Sequence, residues 1–515
     1  MPEVIIVGFL LLGVGAVALA LGLAGTLMGR ASAVRSIPVL IAGVCTAVAG
    51  LARTGCSSQL PSRTARAIAP VKRQSALAKR DVDGDGSVEW WHRCCTSLLT
   101  RCAGIGIYGD PMDHVVVVGA GIGGLAASLV LSRVAKQVTL VERADHPAEV
   151  GAALALQANG MAVLARLGLL PSVEEAGARI DRVEIRNADG KVLLTANMPD
   201  FGGGLDHSVA VRRTKLHQLL LDAVNGVGSV RTRFGCTVMS ADPSGSLVVR
   251  SGPTGGGPTT TTTLHADLVV GADGVNSAVR STGGFHSRLS TGSSYVRTIV
   301  QGHANPWFEE FWTPLGSFGH APLGGDITYF WAAAHSPAVT DAVSRRDLGS
   351  FTAEWRRVLP LAGELLAKVT SFDDLLVNTV RRIHCRRWFS GRLVLLGDAA
   401  HAMAPNLGQG ANSALGDAVA LAEALVTASS IQTALERYDH DRRPAARRVQ
   451  DTAGFLQRLC NLHQATAIRV RDGVLMALSR FPRLGEETAR RALASEVRTV
   501  RSAAVLGDGP LGAAA

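Results

Sequence analysis

The sequence predicts an α/β protein built around a Rossmann-like dinucleotide-binding unit and preceded by an apolar N-terminal segment. Three observations predict it. A strand, a glycine turn, a helix and a second strand follow one another between residues 113 and 142; two later strands end in glycine-bearing turns near residues 271 and 397; and residues 4–29 carry no charge at all.

The first unit reads "HVVVVGAGIGG", with Gly119, Gly121 and Gly124 at G-x-G-x-x-G spacing, then a helical "LAASLVLSRVA" and a strand-like "QVTLVERA" ending in Glu142. The three glycines serve different ends. Gly119 makes the tight turn, Gly121 lets backbone approach a pyrophosphate at the helix N-terminus, and Gly124 permits close helix–strand packing. Glu142 is placed to accept hydrogen bonds from the ribose hydroxyls of an adenosine, and the acid with Arg143 beside it favours a ribose without a 2′-phosphate. Alone, a glycine triplet of this kind is common in doubly wound domains. Its full context makes it a dinucleotide site.

The second stretch, "ADLVVGADGVNSAVR" at residues 266–280, is a buried strand ending in Asp273 and Gly274, followed by a helix start carrying Ser277 and Arg280. The third, "GRLVLLGDAAHAMAPNLGQGANSALGDAVALAEAL", stops a strand at Gly397 and Asp398, turns at Pro405, and opens a long helix at "LGQGAN". Backbone N–H groups at such a helix start favour negative charge on a ligand. Either turn alone is an ordinary strand-to-helix connection; the pair, in order after a Rossmann unit, points to one shared cofactor.

These stretches make the chain similar to the group A FAD-dependent aromatic hydroxylases, the flavoprotein monooxygenases of the para-hydroxybenzoate and salicylate hydroxylase type. The resemblance rests on "VGAGIGG", "VVGADGVNSAVR" and "LLGDAAHAMAPNLGQGAN", supported by "VGAALALQANGMAVLARLGL", "VRRTKLHQLL" and "APLGGDITYFWAAA", and covers roughly residues 113–448. It implies that Glu142 and Arg143 hold the adenosine ribose region, that Arg213 reaches the pyrophosphate or ribityl chain, and that Ala155 touches FAD after the second strand. It implies further that Asp273, Gly274 and Arg280 form the second fingerprint's contacts, that Asp398 binds the ribityl chain, and that Pro405, Gly408, Gly410, Ala411 and Asn412 surround the isoalloxazine. The sequence departs from the family pattern at Ala158, where proline usually precedes the asparagine, and at Gly416-Asp417, where an acid pair is usual.

The implied activity uses NAD(P)H and O₂ to hydroxylate, or epoxidise, an aromatic or apolar small molecule through a flavin C4a-hydroperoxide, with NAD(P)H visiting transiently and FAD carrying the hard chemistry. No Ser-His-Asp or metal constellation is therefore needed, and none is found. His320 and His401 are candidate bases for deprotonating a phenol, but a lone histidine is more often structural, and no catalytic residue is assigned. Alternatives from other classes are an FAD-dependent prenyl-chain reductase and a membrane-tethered flavin-binding adaptor.

The implied fold inserts a mostly antiparallel β substrate domain into a discontinuous FAD-binding domain. On that basis residues 113–182, 209–282 and 383–450 form the FAD domain, residues 183–208 and 283–382 the substrate domain, and residues 451–515 a helical tail that packs on the body. "GPTGGGPTTTTT", residues 252–263, reads as a hairpin tip. Strand-like segments between residues 295 and 334 hold Trp307, Phe308, Phe311, Trp312, Phe318, Tyr329, Phe330 and Trp331; such aromatics are usually core, with about a third expected to face a pocket.

Residues 1–52 read as a membrane anchor. The 26 residues without charge are about 39 Å long as a helix, enough to span a bilayer, and the acidic start "MPE" argues against a cleaved signal peptide. A second apolar run at residues 37–52 is too short to decide between a return span and an interfacial segment. Residues 53–111 read as a linker. Its basic first part, free of acids from residue 53 to 80, places the catalytic part on the cytoplasmic side; organelle targeting, or a soluble cytoplasmic enzyme translated from Met112, are the alternatives.

Residues 1–111 carry half of the net charge of +10, so the body shows no nucleic-acid footprint. "DVDGDGSVEWWH" spaces Asp81, Asp83, Asp85, Gly86 and Glu89 as a calcium loop would, but position 12 is His92, and a solvated acidic turn is the expected reading. Eight cysteines, three of them scattered singly through the body, suggest a reducing compartment.

Overall fold

The computed structural model describes residues 112–147, 152–253, 257–302 and 306–506. The anchor, the linker and the calcium-like loop expected within residues 1–111 lie outside the described residues. Among the described residues no helix is long and apolar enough to cross a membrane, and no group of three or more His, Cys, Asp or Glu side chains is placed to hold a metal ion. Cys236, Cys385 and Cys460 are buried free thiols.

"VVVV" at residues 115–118 is apolar on both faces, as a strand covered by helices on both sides must be. It forms the centre of a six-stranded sheet, within the strand Met112–Val118. The order across this sheet is Phe389–Ser390, Leu393–Leu395, Leu268–Gly271, Met112–Val118, Ala135–Val141 and Val230–Arg233. All neighbours are parallel except the first pair.

The order has a direct consequence. The three strands that precede the glycine turns are neighbours: Val116 pairs with Val269, and Val270 with Val394. Parallel neighbours end on the same edge, so turns separated by more than a hundred residues in sequence meet there. Helix Ile122–Leu131, nearly all buried, packs on this sheet, and helix Gln409–Thr427 packs on that helix.

The second large sheet has seven strands, in the order Leu376–Cys385, Ser287–Gln301, Ile327–Ala334, Gly316–Pro322, Phe308–Thr313, Arg182–Asn187 and Val192–Asn197. Its neighbours are antiparallel except for Phe308–Thr313 with Arg182–Asn187. Alternation sorts its side chains. Phe311, Phe318 and Phe330 point to one face and bury themselves with Phe351 and Trp355 of helix Leu348–Val358, whereas Phe308, Trp312, Tyr329 and Trp331 face a cavity on the other side.

Half of the eight aromatics thus face the pocket, more than the third expected, because a period of two in a sheet with one packed face exposes every second position. The threonine run also differs from expectation: the hairpin tip is shorter than residues 252–263, since Thr260–His265 is a strand paired with Ser246–Ser251. Consecutive β-branched residues favour extended backbone, and this one sits at an exposed edge.

Among the described residues beyond 451, three helices follow one another. Helix Ile431–Cys460 runs on from the body, followed by Ala465–Leu478 and Pro482–Ser502. The last of these packs on helix Ala158–Arg166. Arg166 donates to the carbonyls of Arg501 and Ala503, and Arg501 to those of Phe201 and Gly202.

Candidate functional site

The turns at the edge of the six-stranded sheet and the aromatic face of the seven-stranded sheet enclose one cavity of 1230 Å³. Its dimensions suit a dinucleotide and a small molecule together, above the upper end of the roughly 300–1,000 Å³ of an ordinary ligand pocket.

Gly119 has φ of +100°, and a Cβ there would lie 2.6 Å from the carbonyl oxygen of Ala272, so only glycine makes this turn. A Cβ at Gly124 would lie 1.8 Å from the Gly119 carbonyl oxygen. Gly121 is different, because a Cβ there would meet nothing within 4 Å and would project into the cavity wall that the turn leaves open.

At the end of the second strand, Glu142 accepts from the backbone N–H of Ala120 at 2.7 Å and of Ala144 at 2.9 Å. This fixes its carboxylate at the cavity with lone pairs to spare. His217 supports the same turn, 2.7 Å from the Ala120 carbonyl oxygen, and also lines the cavity.

Asp273 Oδ2 accepts from the N–H groups of Ala278 and Val279 at 2.7 and 3.2 Å, while Oδ1 is buried without a partner. Burial raises the pKa of this carboxyl against the pull of those bonds. A buried acceptor left open beside a cavity is a place for a ligand donor. Arg280 is buried behind it, bonding the carbonyls of Ala399 at 2.7 Å and Val275 at 2.6 Å, and so ties the second and third turns together without facing the cavity.

In the third turn Gly397 and Gly408 adopt φ of +58° and +63°. Asp398, Pro405, Gly408, Gly410 and Ala411 line the cavity, and a Cβ at Gly410 would meet nothing within 4 Å. Helix Gln409–Thr427 starts here, aiming its N-terminal N–H groups at the space. Asn412 is fully buried behind the loop, accepting from Gln157 N at 3.0 Å and donating to the carbonyls of Ala155 at 2.9 Å and Gly408 at 2.8 Å. It sutures the third turn to the strand that carries Ala155.

Of the residues singled out in the sequence, Gly119, Gly121, Glu142, Arg143, Ala155, Arg213, Asp273, Gly274, Asp398, Pro405, Gly408, Gly410 and Ala411 all line the one cavity. Gly124, Arg280 and Asn412 stand in the layer behind and shape it. His401 is buried 2.6 Å from Asp417 and His320 is buried 3.1 Å from Glu309, neither on the cavity wall.

Two sets of residues at the cavity carry no signal in the local sequence. The cavity face of the seven-stranded sheet holds Tyr295, Arg297 and Glu310 beside its aromatics, aligned only by strand register. Leu456, Ala489 and Leu493 add a wall from the C-terminal helices. The Tyr295 hydroxyl donates to Asn406 at 3.5 Å, and Asn406 reaches Cys460 Sγ at 3.3 Å, so sheet, turn and long helix meet at one corner.

The residues present fit FAD: an open glycine turn, a carboxylate at the end of the second strand, an unfilled buried acceptor and a helix N-terminus all border one space of sufficient volume.

Comparison with known proteins agrees with this geometry. The family described as "FAD binding domain" matches residues 112–453. The aurachin C monooxygenase/isomerase of Stigmatella aurantiaca is 31% identical over 334 residues, covering 63% of this chain and 83% of that protein. The kynurenine 3-monooxygenase of Salinispora arenicola is 32% identical over 381 residues, covering 67% of this chain and 79% of that protein. The solved 2-methyl-3-hydroxypyridine-5-carboxylic acid oxygenase aligns with a TM-score of 0.58 at 26% identity, over 70% of this chain and 96% of that one.

Proposed function

Because the chain belongs to the FAD-binding-domain family of group A flavoprotein monooxygenases, we propose that its cavity holds FAD and an aromatic substrate side by side. It is an FAD-dependent NAD(P)H monooxygenase acting on aromatic small molecules. The observation that carries the reading is that all three strand-end turns and the aromatic sheet face border the same cavity.

In this assignment residues 113–182, 209–282 and 383–450 make the cofactor half of the enzyme, and residues 183–208 and 283–382 the substrate half. Glu142, already oriented by Ala120 and Ala144, accepts from ribose hydroxyls, and Arg143 flanks the adenosine. Gly119, Gly121 and Gly124 let the pyrophosphate approach the start of helix Ile122–Leu131, with Arg213 as its cation. Asp398 takes the ribityl hydroxyls, and Asp273 Oδ1 accepts from the same cofactor. The chemistry supplied by the bound flavin is activation of O₂ after reduction by NAD(P)H.

The protein's part is positioning and exclusion of water. Gly408, Gly410 and Ala411 bring backbone N–H groups and a helix N-terminus to the ring edge where negative charge gathers, which stabilises it by up to ~2 kcal/mol when partly buried. Phe308, Trp312, Tyr329 and Trp331 present apolar ring faces to the substrate and keep the chamber dry.

The uncharged run at residues 4–29 supports a further reading, a membrane tether with the catalytic part on the cytoplasmic side, which would suit a membrane-partitioned aromatic. Deleting residues 1–111 tests it: the truncated enzyme should keep activity on soluble aromatics and lose it on substrate embedded in vesicles. Unchanged activity on both would reject the tether.

The monooxygenase reading is tested by aerobic NAD(P)H oxidation with purified FAD-loaded protein against phenols, aminobenzoates and alkylquinolones. Substrate-stimulated oxidation with matching O₂ uptake is expected; oxidation without O₂ uptake would indicate a reductase instead.

A further inference from the structure

The strand Ser287–Gln301 begins outside the body of its sheet. Its first residues pair with Leu376–Cys385, Arg288 opposite His384 and Ser290 opposite Arg382, and the backbone N–H of Arg386 donates to the His286 carbonyl at 3.0 Å. Among the described residues no strand pairs with the outer side of residues 287–293. Residues directly opposite in an antiparallel pair point to the same face, so His286, Arg288, Arg382, His384 and Arg386 share one face of a two-stranded ribbon.

Helix Ile431–Cys460 runs beside that face and adds Arg447 to it. Asp451 of this helix is shared, 3.4 Å from Arg382 and 3.9 Å from Arg447. Arg288 and Arg386 are exposed, and their side chains make no ion pair or hydrogen bond among the described residues. Burial and the charges of Arg382, Arg447 and Arg288 lower the His384 imidazole from its ordinary value, with Asp451 pulling the other way. These cations therefore act on one another without being neutralised. A charge or two is enough to keep an open strand edge from pairing with another chain. This edge carries more than that, and beside Arg288 it presents Leu289, 53% exposed.

We propose that the ribbon is a docking surface for an anionic lipid bilayer, with Arg288, Arg386 and Arg447 on lipid phosphates and Leu289 entering the headgroup boundary. Guanidinium groups pair with phosphate oxygens in a bidentate way, and an apolar side chain among arginines is the composition of an interfacial contact. The sequence favours a lipid partner over an acidic protein, because residues 4–29 are uncharged and residues 53–80 are basic without an acid, as a membrane-facing flank is. The ribbon strand also supplies Asn378, Thr379, Val380 and Arg381 to the cavity wall. Docking there brings the edge of the cavity to the bilayer. The inference goes beyond the monooxygenase reading and stands whether or not residues 4–29 span the membrane.

The test uses the full FAD-loaded chain with vesicles of phosphatidylcholine alone and of phosphatidylcholine mixed with phosphatidylglycerol, and reads amide exchange by mass spectrometry. On the anionic vesicles exchange over residues 286–291 and 382–387 should slow roughly tenfold. High salt, or the double variant Arg288→Glu with Arg386→Glu, should abolish the slowing. Flavin content and NAD(P)H oxidation with a soluble aromatic should stay at wild-type levels in that variant. Leu289→Ser, which keeps every charge, should reduce the slowing in part.

Slowing of equal size on both vesicles, or on neither, would overturn the proposal. Slowing by poly-glutamate but not by the anionic vesicles would also overturn it and make the partner an acidic protein. Flotation of the same mixtures tests the tether separately. A chain that floats with phosphatidylcholine alone but shows no slowing keeps the tether and loses the docking surface; one that floats only with anionic vesicles, with slowing, keeps the docking surface and loses the tether.

Discussion

Oδ2 of Asp417 lies 2.6 Å from Nε2 of His401, and both side chains are buried beneath the third glycine turn. The same carboxylate accepts from Gly397 N at 3.0 Å and, through Oδ1, from Nε of Arg442 at 2.8 Å. Arg442 continues to Glu496 at 2.9 Å, and Glu496 accepts from Asn159 at 2.6 Å. A buried polar chain thus runs from the turn that carries Asp398 to the C-terminal helix.

Asp417→Asn should destabilise the protein by about 3–5 kcal/mol, because it breaks a buried ion pair and leaves Arg442 with Glu496 as its remaining counter-charge. Burial alone would raise the Asp417 carboxyl, but the charges of His401 and Arg442 with the hydrogen bonds from His401 and Gly397 N hold it down at about 2. Since the folded value is depressed, the stabilisation is complete above the ordinary value of 3.8 and is lost as pH falls towards 2. Thermal denaturation from pH 6 to pH 2 should show the wild type converging on the variant. A constant gap across that range would contradict the assignment.

Gly121→Ala and Gly124→Ala should fail in different ways. A methyl at Gly121 meets no protein atom within 4 Å and enters the cavity, so the apo protein should keep its melting temperature and lose FAD affinity. A methyl at Gly124 collides with the Gly119 carbonyl, so the fold itself should lose about 1–3 kcal/mol. Flavin content and apo melting curves, measured together, separate the two.

Much of this site is legible in the sequence, and the reason lies in which constraints are local. Gly119, Gly397 and Gly408 mark backbone that other residues rarely adopt, so the turns announce themselves. Alternation likewise announces a sheet with two unlike faces. Three things stay hidden because they depend on what comes together from afar. Arg297 and Glu310 share a row only through the register of four strands. Glu496 reads as the exposed face of an amphipathic helix until Arg442 and Asn159 meet it. Asn412 reads as a cofactor contact through its backbone, and nothing in the neighbouring sequence announces that its side chain also joins two distant backbone segments.

Glu496→Ala should loosen the last helix, since it removes the acceptor for both Arg442 and Asn159. The expected loss is about 1–3 kcal/mol of local stability, because two buried donors each lose one of their partners. Leu493 and Ala489 line the cavity from this helix, so amide exchange over residues 482–502 should accelerate and substrate should bind less tightly. Exchange unchanged from wild type would show that the network is dispensable.

Glu310 gives a pH dependence of opposite sign to Asp417. Burial raises its carboxyl from 4.5 to about 7, so the folded chain holds this proton more tightly than the unfolded chain does. Stability is therefore lost as pH rises from 4.5 to 7. Glu310→Gln, which stays neutral, should be more stable than the wild type at pH 8 and should not differ in this way at pH 4. Denaturant titrations of the apo protein at the two pH values check this, with Tyr295, Cys460 and Arg471 unaltered as the neighbouring titratable groups.

Whether the cavity oxygenates its substrate is decided by turnover under ¹⁸O₂ with an aromatic compound that stimulates NAD(P)H oxidation, followed by mass analysis of the product. One labelled oxygen atom is expected in the aromatic product for each nicotinamide oxidised in coupled turnover. A product that gains hydrogen but no label, with no O₂ consumed, would contradict the monooxygenase assignment and make the cavity that of a flavin-dependent reductase.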